Sequence, residues 1–154
     1  MYDRRGARRA LEWLAAAAED PERCRHDWEL SESGLALLPA GHIWDVLVIP
    51  GRLGAATLRV LRLCLPEPGP VLTDGGGHLG FLVPPGTAER WVGSGVRCVG
   101  LGGWVVVPHP AREPSGPVRW LEPPDGTGRL GDPELVELAL HEAAARLRGT
   151  GDEL

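Results

Sequence analysis

The chain has 154 residues, 43% of them apolar and 24% charged, with a formal net charge of −5. That length and balance predict one soluble domain with a real core, not a disordered or fibrous chain. All 16 basic residues are Arg, and the absence of lysine excludes the P-loop lysine of Walker-type NTPases, the Schiff-base lysine of pyridoxal enzymes and aldolases, and any lysine general base. The acidic balance argues against a polyanion binder that works through bulk charge.

The 22 Gly and 15 Pro fall between apolar runs, so they predict many tight turns. Asp3 to Ala18 reads as a helix, capped by Asp3, with Leu11, Leu14 and Ala18 on one stripe and Trp13 beside it. It stops before Pro21, which pushes Asp20 out of the helical region. Arg4, Arg5, Arg8 and Arg9 crowd its first turns; a solvated face is the reading favoured over an anion site. Cys24 to Ser33 is polar and reads as irregular. Gly34 to Leu38 and Ile43 to Ile49 are apolar runs broken by Pro39-Ala40-Gly41, which predicts a hairpin or tight turn. The near-continuous apolar character from Trp44 to Ile49 predicts a central strand buried on both faces. Gly54 to Leu65 is the next helix, with Leu58, Leu61 and Leu65 on one side and Arg59 and Arg62 on the other.

The second half reads mostly as sheet. Pro70 to Thr73 and His78 to Val83 are strands around the glycine turn Gly75-Gly76-Gly77, and Thr87 to Trp91 is one helical turn. Val96 to Val99 and Gly103 to Val107 read as a hairpin around Gly100-Leu101-Gly102, and Val118 to Leu121 as a short last strand. Asp132-Pro133-Glu134 starts a final helix, and Gly149 ends it. The sum is an α+β fold: a single domain over residues 1–149 with a mainly antiparallel sheet, and a disordered tail at 150–154.

The three Cys, at 24, 64 and 98, are odd in number and lack CxxC spacing; they read as reduced, mostly buried thiols. No run approaches a membrane span and no signal peptide is visible, so no membrane association is expected and the cytoplasm is the expected compartment. Trp13, Trp44 and Trp104 sit in apolar periodicity and read as core; Trp28, Trp91 and Trp120 flank turns and read as partly exposed. Asp45 reads as an edge or salt-bridged residue, Cys24-Arg25-His26 as no metal motif, and Glu137 with His141 as a surface pair. Gly93-Ser94-Gly95 lacks the spacing of a nucleophile elbow.

The best candidate site is Thr73-Asp74-Gly75-Gly76-Gly77-His78. Glycines let a backbone approach a ligand and present N–H groups to an anion, and a His after the loop can donate to a phosphate. A glycine turn followed by a satisfied His is the commoner meaning of such a segment. What sharpens it is the order downstream: Gly76-Gly77-His78-Leu79-Gly80-Phe81, then Pro84-Pro85, then Gly95 to Pro108, then Val118-Arg119-Trp120, then Pro123-Pro124. Over roughly residues 34 to 140 this concatenation resembles the bifunctional DNA primase/polymerase N-terminal domain of the archaeo-eukaryotic primase superfamily.

The resemblance implies a primase-like, RRM-like antiparallel sheet and template-directed nucleotidyl transfer with two divalent ions. In that family two acidic residues separated by one end the second strand, a third precedes the glycine hairpin, and the His contacts the triphosphate of the incoming nucleotide. Here Val46 to Gly51 carries no carboxylate near the strand end, the third position aligns with Arg97, and only His78 matches. Hard divalent cations bind poorly without carboxylates. The expectation is therefore a pseudoenzyme of DNA replication that binds a nucleotide or single-stranded nucleic acid through Gly75, Gly76, Gly77, His78 and Arg97, with no metal. Two alternatives stand beside it. One is a scaffold that keeps the fold and binds a protein partner, including a second copy as a homodimer. The other is an active polymerase with Mg²⁺ or Mn²⁺ held by relocated ligands such as Asp45 and Asp74.

Overall fold

A computed structural model describes residues 4–92, 95–112 and 116–151. In chain order the elements are α1 (Arg4–Ala15), α2 (Pro21–Leu30), β1 (Leu35–Pro39), β2 (Asp45–Pro50), α3 (Gly51–Cys64), β3 (Val71–Thr73), β4 (His78–Val83), α4 (Thr87–Arg90), β5 (Arg97–Val99), β6 (Trp104–Pro108), β7 (Arg119–Glu122) and α5 (Pro133–Gly151). The α+β class holds. All strand pairs are antiparallel, in a five-stranded sheet of order β5-β2-β4-β3-β7 and a two-stranded sheet β1-β6.

Strand β2 is central, paired with β4 on one side and β5 on the other, as its apolar run predicts. Its alternate residues feed two cores. Leu47 and Ile49 join Leu79, Phe81 and Val71 under α3 and α5. Val46 joins Leu72, Leu82 and Trp44 under α1, α2 and the β1-β6 pair. The five-stranded sheet is thus the middle layer, with two helices on one face and the small sheet with two helices on the other.

Several expectations are corrected. Residues 21–30 form a helix, not an irregular segment. Asp20 accepts the N–H of Arg23, and Pro21 sits in the first helical turn. This is the same Asp-Pro-Glu start that opens α5, repeated at Asp20-Pro21-Glu22. Helix α1 ends at Ala15, three residues before Ala18. Helix α3 starts at Gly51, directly from the strand.

Neither turn joins its two runs as a hairpin, and at Pro39-Ala40-Gly41 the tight-turn alternative holds, with Gly41 N–H donating to Trp44 O at 2.8 Å. β1 leaves the Pro39-Ala40-Gly41 turn for β6, with Leu37 opposite Val106, while β2 enters the large sheet. β5 and β6 likewise part at Gly100-Leu101-Gly102, although the turn closes locally through Gly103 N–H to Gly100 O at 2.9 Å. Helix α5 carries through Gly149 to Gly151; the rest of the expected tail, 152–154, lies outside the described residues, as do Gly93 and Ser94.

Two tryptophans exchange places. Trp28 is buried in the overlooked α2, where its Nε1–H donates to Gly34 O at 3.0 Å. Trp104 is 60% exposed on the outer side of the small sheet, near Leu37 and Val106. Trp44 is core, while Trp13, Trp91 and Trp120 are half-buried. The cysteines are less buried than expected: Cys64 is exposed, and Cys24 and Cys98 are half-buried. Arg8 lies exposed beside Glu12, consistent with a solvated face on α1, and His141 pairs with Glu137 at 3.8 Å.

Candidate functional site

The β3–β4 hairpin builds one end of the site. Gly75 has φ +97°, and a Cβ there would run into Pro117, so glycine is required by both the backbone and its neighbour. Gly51, at the start of α3, donates its N–H to Gly77 O at 2.9 Å, and a Cβ on Gly51 would stand 3.1 Å from Gly76 O. The β2–α3 junction and the glycine loop therefore meet through bare backbone, which brings Pro50 beside His78 in the strand register.

In the structure the loop's amides meet acceptors of the chain itself. Asp74 Oδ1 accepts the N–H groups of Gly76 (3.3 Å), Gly77 (2.8 Å) and His78 (2.8 Å), and Thr73 Oγ1 accepts that of Gly75. The chain's own carboxylate occupies the nest. These bonds, with that of His78 foremost, hold the Asp74 carboxyl down at about 2, against a smaller opposing effect of burial. Asp74 Oδ2 faces His78 Nδ1 at 3.3 Å. That contact engages Nδ1 with Asp74 and sets the orientation of the ring.

A depressed carboxyl contributes stability that is complete above its unfolded pKa and lost as the pH falls through the folded one. Asp74→Asn is expected to destabilise the fold by about 1 kcal/mol at neutral pH, a modest value because half of the side chain faces water. The difference from the parent should persist down to about pH 4 and vanish toward pH 2, as urea midpoints across that range will show. A difference independent of pH would contradict the assignment.

The cross-strand register fixes what shares the face with His78. His78 is opposite Pro50, Gly80 opposite Val48, and Val48 opposite Arg97. Residues directly opposite in a ladder lie on one face, as do residues two apart along a strand. Arg97, Val48, Gly80, Pro50 and His78 therefore line one face, on the side of the β1-β6 sheet. Arg97 and His78 are both exposed. Arg97 and His78 stand on strands either side of β2 and two residues apart along it, roughly 12 Å between Cα atoms.

Of the two acids considered as relocated metal ligands, only Asp74 lies beside His78. Asp45 lies at the opposite end of β2, across from Val83, on the face of Leu47 and Ile49. It is neither an edge residue nor salt-bridged: it is 1% exposed and its Oδ2 accepts Ala88 N–H at 2.8 Å. Burial, reinforced by Asp45, pushes the Cys98 thiol up to about 12, so it stays protonated. Burial, then Asp27, raises Cys24 as well. Asp45 and Asp74 stand at opposite ends of the β2–β4 ladder, so the relocated pair proposed for metal binding does not converge. Among the described residues no three His, Cys, Asp or Glu side chains come together as a metal site.

Outside the sheet face, sequence reasoning missed His109, which is 5% exposed and stands against Glu29 (Nε2 to Oε1, 3.1 Å) with its Nδ1 accepting Ala111 N–H. It packs edge-on against Trp28 and serves the α2 core. Its only sequence signal, a His after the β6 proline, does not distinguish this role from a ligand's.

No curated protein and no solved structure matches the chain. The family model for the bifunctional DNA primase/polymerase N-terminal domain matches residues 3–138, nearly the whole described fold and all of the His78 face. The chain belongs to the bifunctional DNA primase/polymerase N-terminal family.

Proposed function

We propose that this domain is a primase/polymerase-like pseudoenzyme that binds a nucleotide or single-stranded nucleic acid without transferring nucleotides. One observation carries the reading. The alternating positions that end β2 on the His78 face are Val48 and Pro50, and the β5 position beside them is Arg97. These are the places where the family resemblance calls for three acids. Two divalent ions there would meet a methyl group, a pyrrolidine ring and a guanidinium cation, none of which is a ligand for a hard cation. Arg97 instead supplies fixed positive charge near the ligand, so a phosphate is held by Arg97 and by His78. Gly75, Gly76 and Gly77 act by letting the loop place His78, with Asp74 orienting its ring.

Titration of a labelled nucleoside triphosphate and of a short single-stranded DNA, each in Mg²⁺ and in EDTA, tests this. Saturable binding of at least one ligand, undiminished by EDTA, is expected. Binding that requires Mg²⁺ would overturn the loss of the metal site, and binding of neither ligand would overturn the nucleotide reading.

A scaffold role has one observation in its favour: Leu37, Trp104 and Val106, at 60%, 60% and 43% exposed, form an apolar face on the small sheet. It would account for a folded protein that binds neither ligand.

A further inference from the structure

The opposite face of the molecule carries an unsatisfied surface of a different kind. α3 and α5 lie side by side over the large sheet and leave between them an apolar groove of about 280 Å³, floored by Val60, Leu61, Leu65 and Ala139 and rimmed by Leu135 and Leu138. Beside it Leu63 is 72% exposed and Leu138 65% exposed, with Leu135 at 37%. Single exposed leucines are ordinary, but three around one groove form a patch of the kind that marks an interaction site.

The charges around the patch are divided by helix. α3 contains no acidic residue and exposes Arg52, Arg59 and Arg62. The first ten residues of α5 contain no Arg or Lys and expose Glu134, Glu137 and Glu142. Arg62 is committed to Glu122, at 2.6 Å, and Glu142 to Arg146 of its own helix, at 2.9 Å, while Arg59 stands one turn before Leu63 and Glu134 one turn before Leu138. Leu63 and Leu138 are thus each preceded by one charge a turn back on their own helix, and the two signs are opposite.

We infer that this two-helix face is a homodimer interface, with α3 of one copy laid on α5 of the other. A two-fold axis brings each basic helix against an acidic one twice over, so the surface is complementary to itself, as an isologous contact requires. A partner of one charge sign would fit only one helix and be repelled by the other. The leucine patch supplies the desolvated centre and the charges its rim. The interface lies across the sheet from His78 and Arg97, so association leaves their face open.

A helix pair about 21 and 28 Å long sits at the small end of specific interfaces, and its dimer should dissociate on dilution. Sedimentation equilibrium of the full chain from about 1 to 200 µM should show the mass rising from monomer to dimer. Leu138→Glu and Leu63→Glu, with far-UV circular dichroism and melting behaviour confirming the fold, should each weaken association at least tenfold. Trp104→Ala, on the far face, should leave it unchanged. A monomer throughout the range overturns the inference. So does a dimer that survives both leucine variants, or one that Trp104→Ala dissolves.

Discussion

Replacing Trp28 by Ala is expected to remove about 4 kcal/mol of stability, within the range for deleting a buried aromatic side chain. Trp28 is 1% exposed and closes the core under α1, α2 and β1-β6 with Leu14, Leu38 and Val107. Its ring meets the His109 ring edge-on at 5.5 Å and 68°. The lost hydrogen bond adds little, because Gly34 O also accepts the N–H of His109 at 2.7 Å and is not orphaned. The loss comes from the cavity and the forfeited contacts. It is a large share of the roughly 5–15 kcal/mol that holds a domain together. A urea midpoint that falls steeply at unchanged m-value would confirm it. A loss under about 1 kcal/mol would mean that α2 is not seated in the core.

The second large effect concerns the ligand. His78→Ala should weaken nucleotide or single-strand binding by roughly ten- to a hundredfold, the worth of one charge-assisted hydrogen bond. Arg97→Glu should weaken it at least as much, since it replaces attraction by repulsion at the same place. Neither should move the melting temperature appreciably, because both side chains are exposed. Equal affinity in parent and both variants, measured by fluorescence anisotropy, would place the ligand elsewhere.

Elements set by local chemistry were legible in the sequence. β4 is found at the predicted residues, β2 is central as its apolar run implied, and α5 begins at its Asp-Pro-Glu signal. The same signal at Asp20 was hidden because Pro21-Glu22-Arg23-Cys24-Arg25-His26 has no apolar stripe; one tryptophan anchors that helix. Strand partners were not legible. A glycine turn between two apolar runs looks alike whether the strands pair with each other or part into separate sheets, and here β1 finds β6 across most of the chain.

The candidate site was named from residue types, and its geometry was not legible. His78 and Arg97 could be named, and register alone placed them on one face with Val48 and Pro50. That Asp74 would turn inward and take the loop's amides depends on a few degrees of backbone, beyond the reach of composition.

Primer extension with folded protein, in Mg²⁺ and in Mn²⁺, tests the central claim most directly. With Val48, Pro50 and Arg97 where metal-binding acids would stand, no extended product is predicted at any enzyme concentration, in either metal. Product that accumulates with time, and disappears in His78→Ala, would contradict the account.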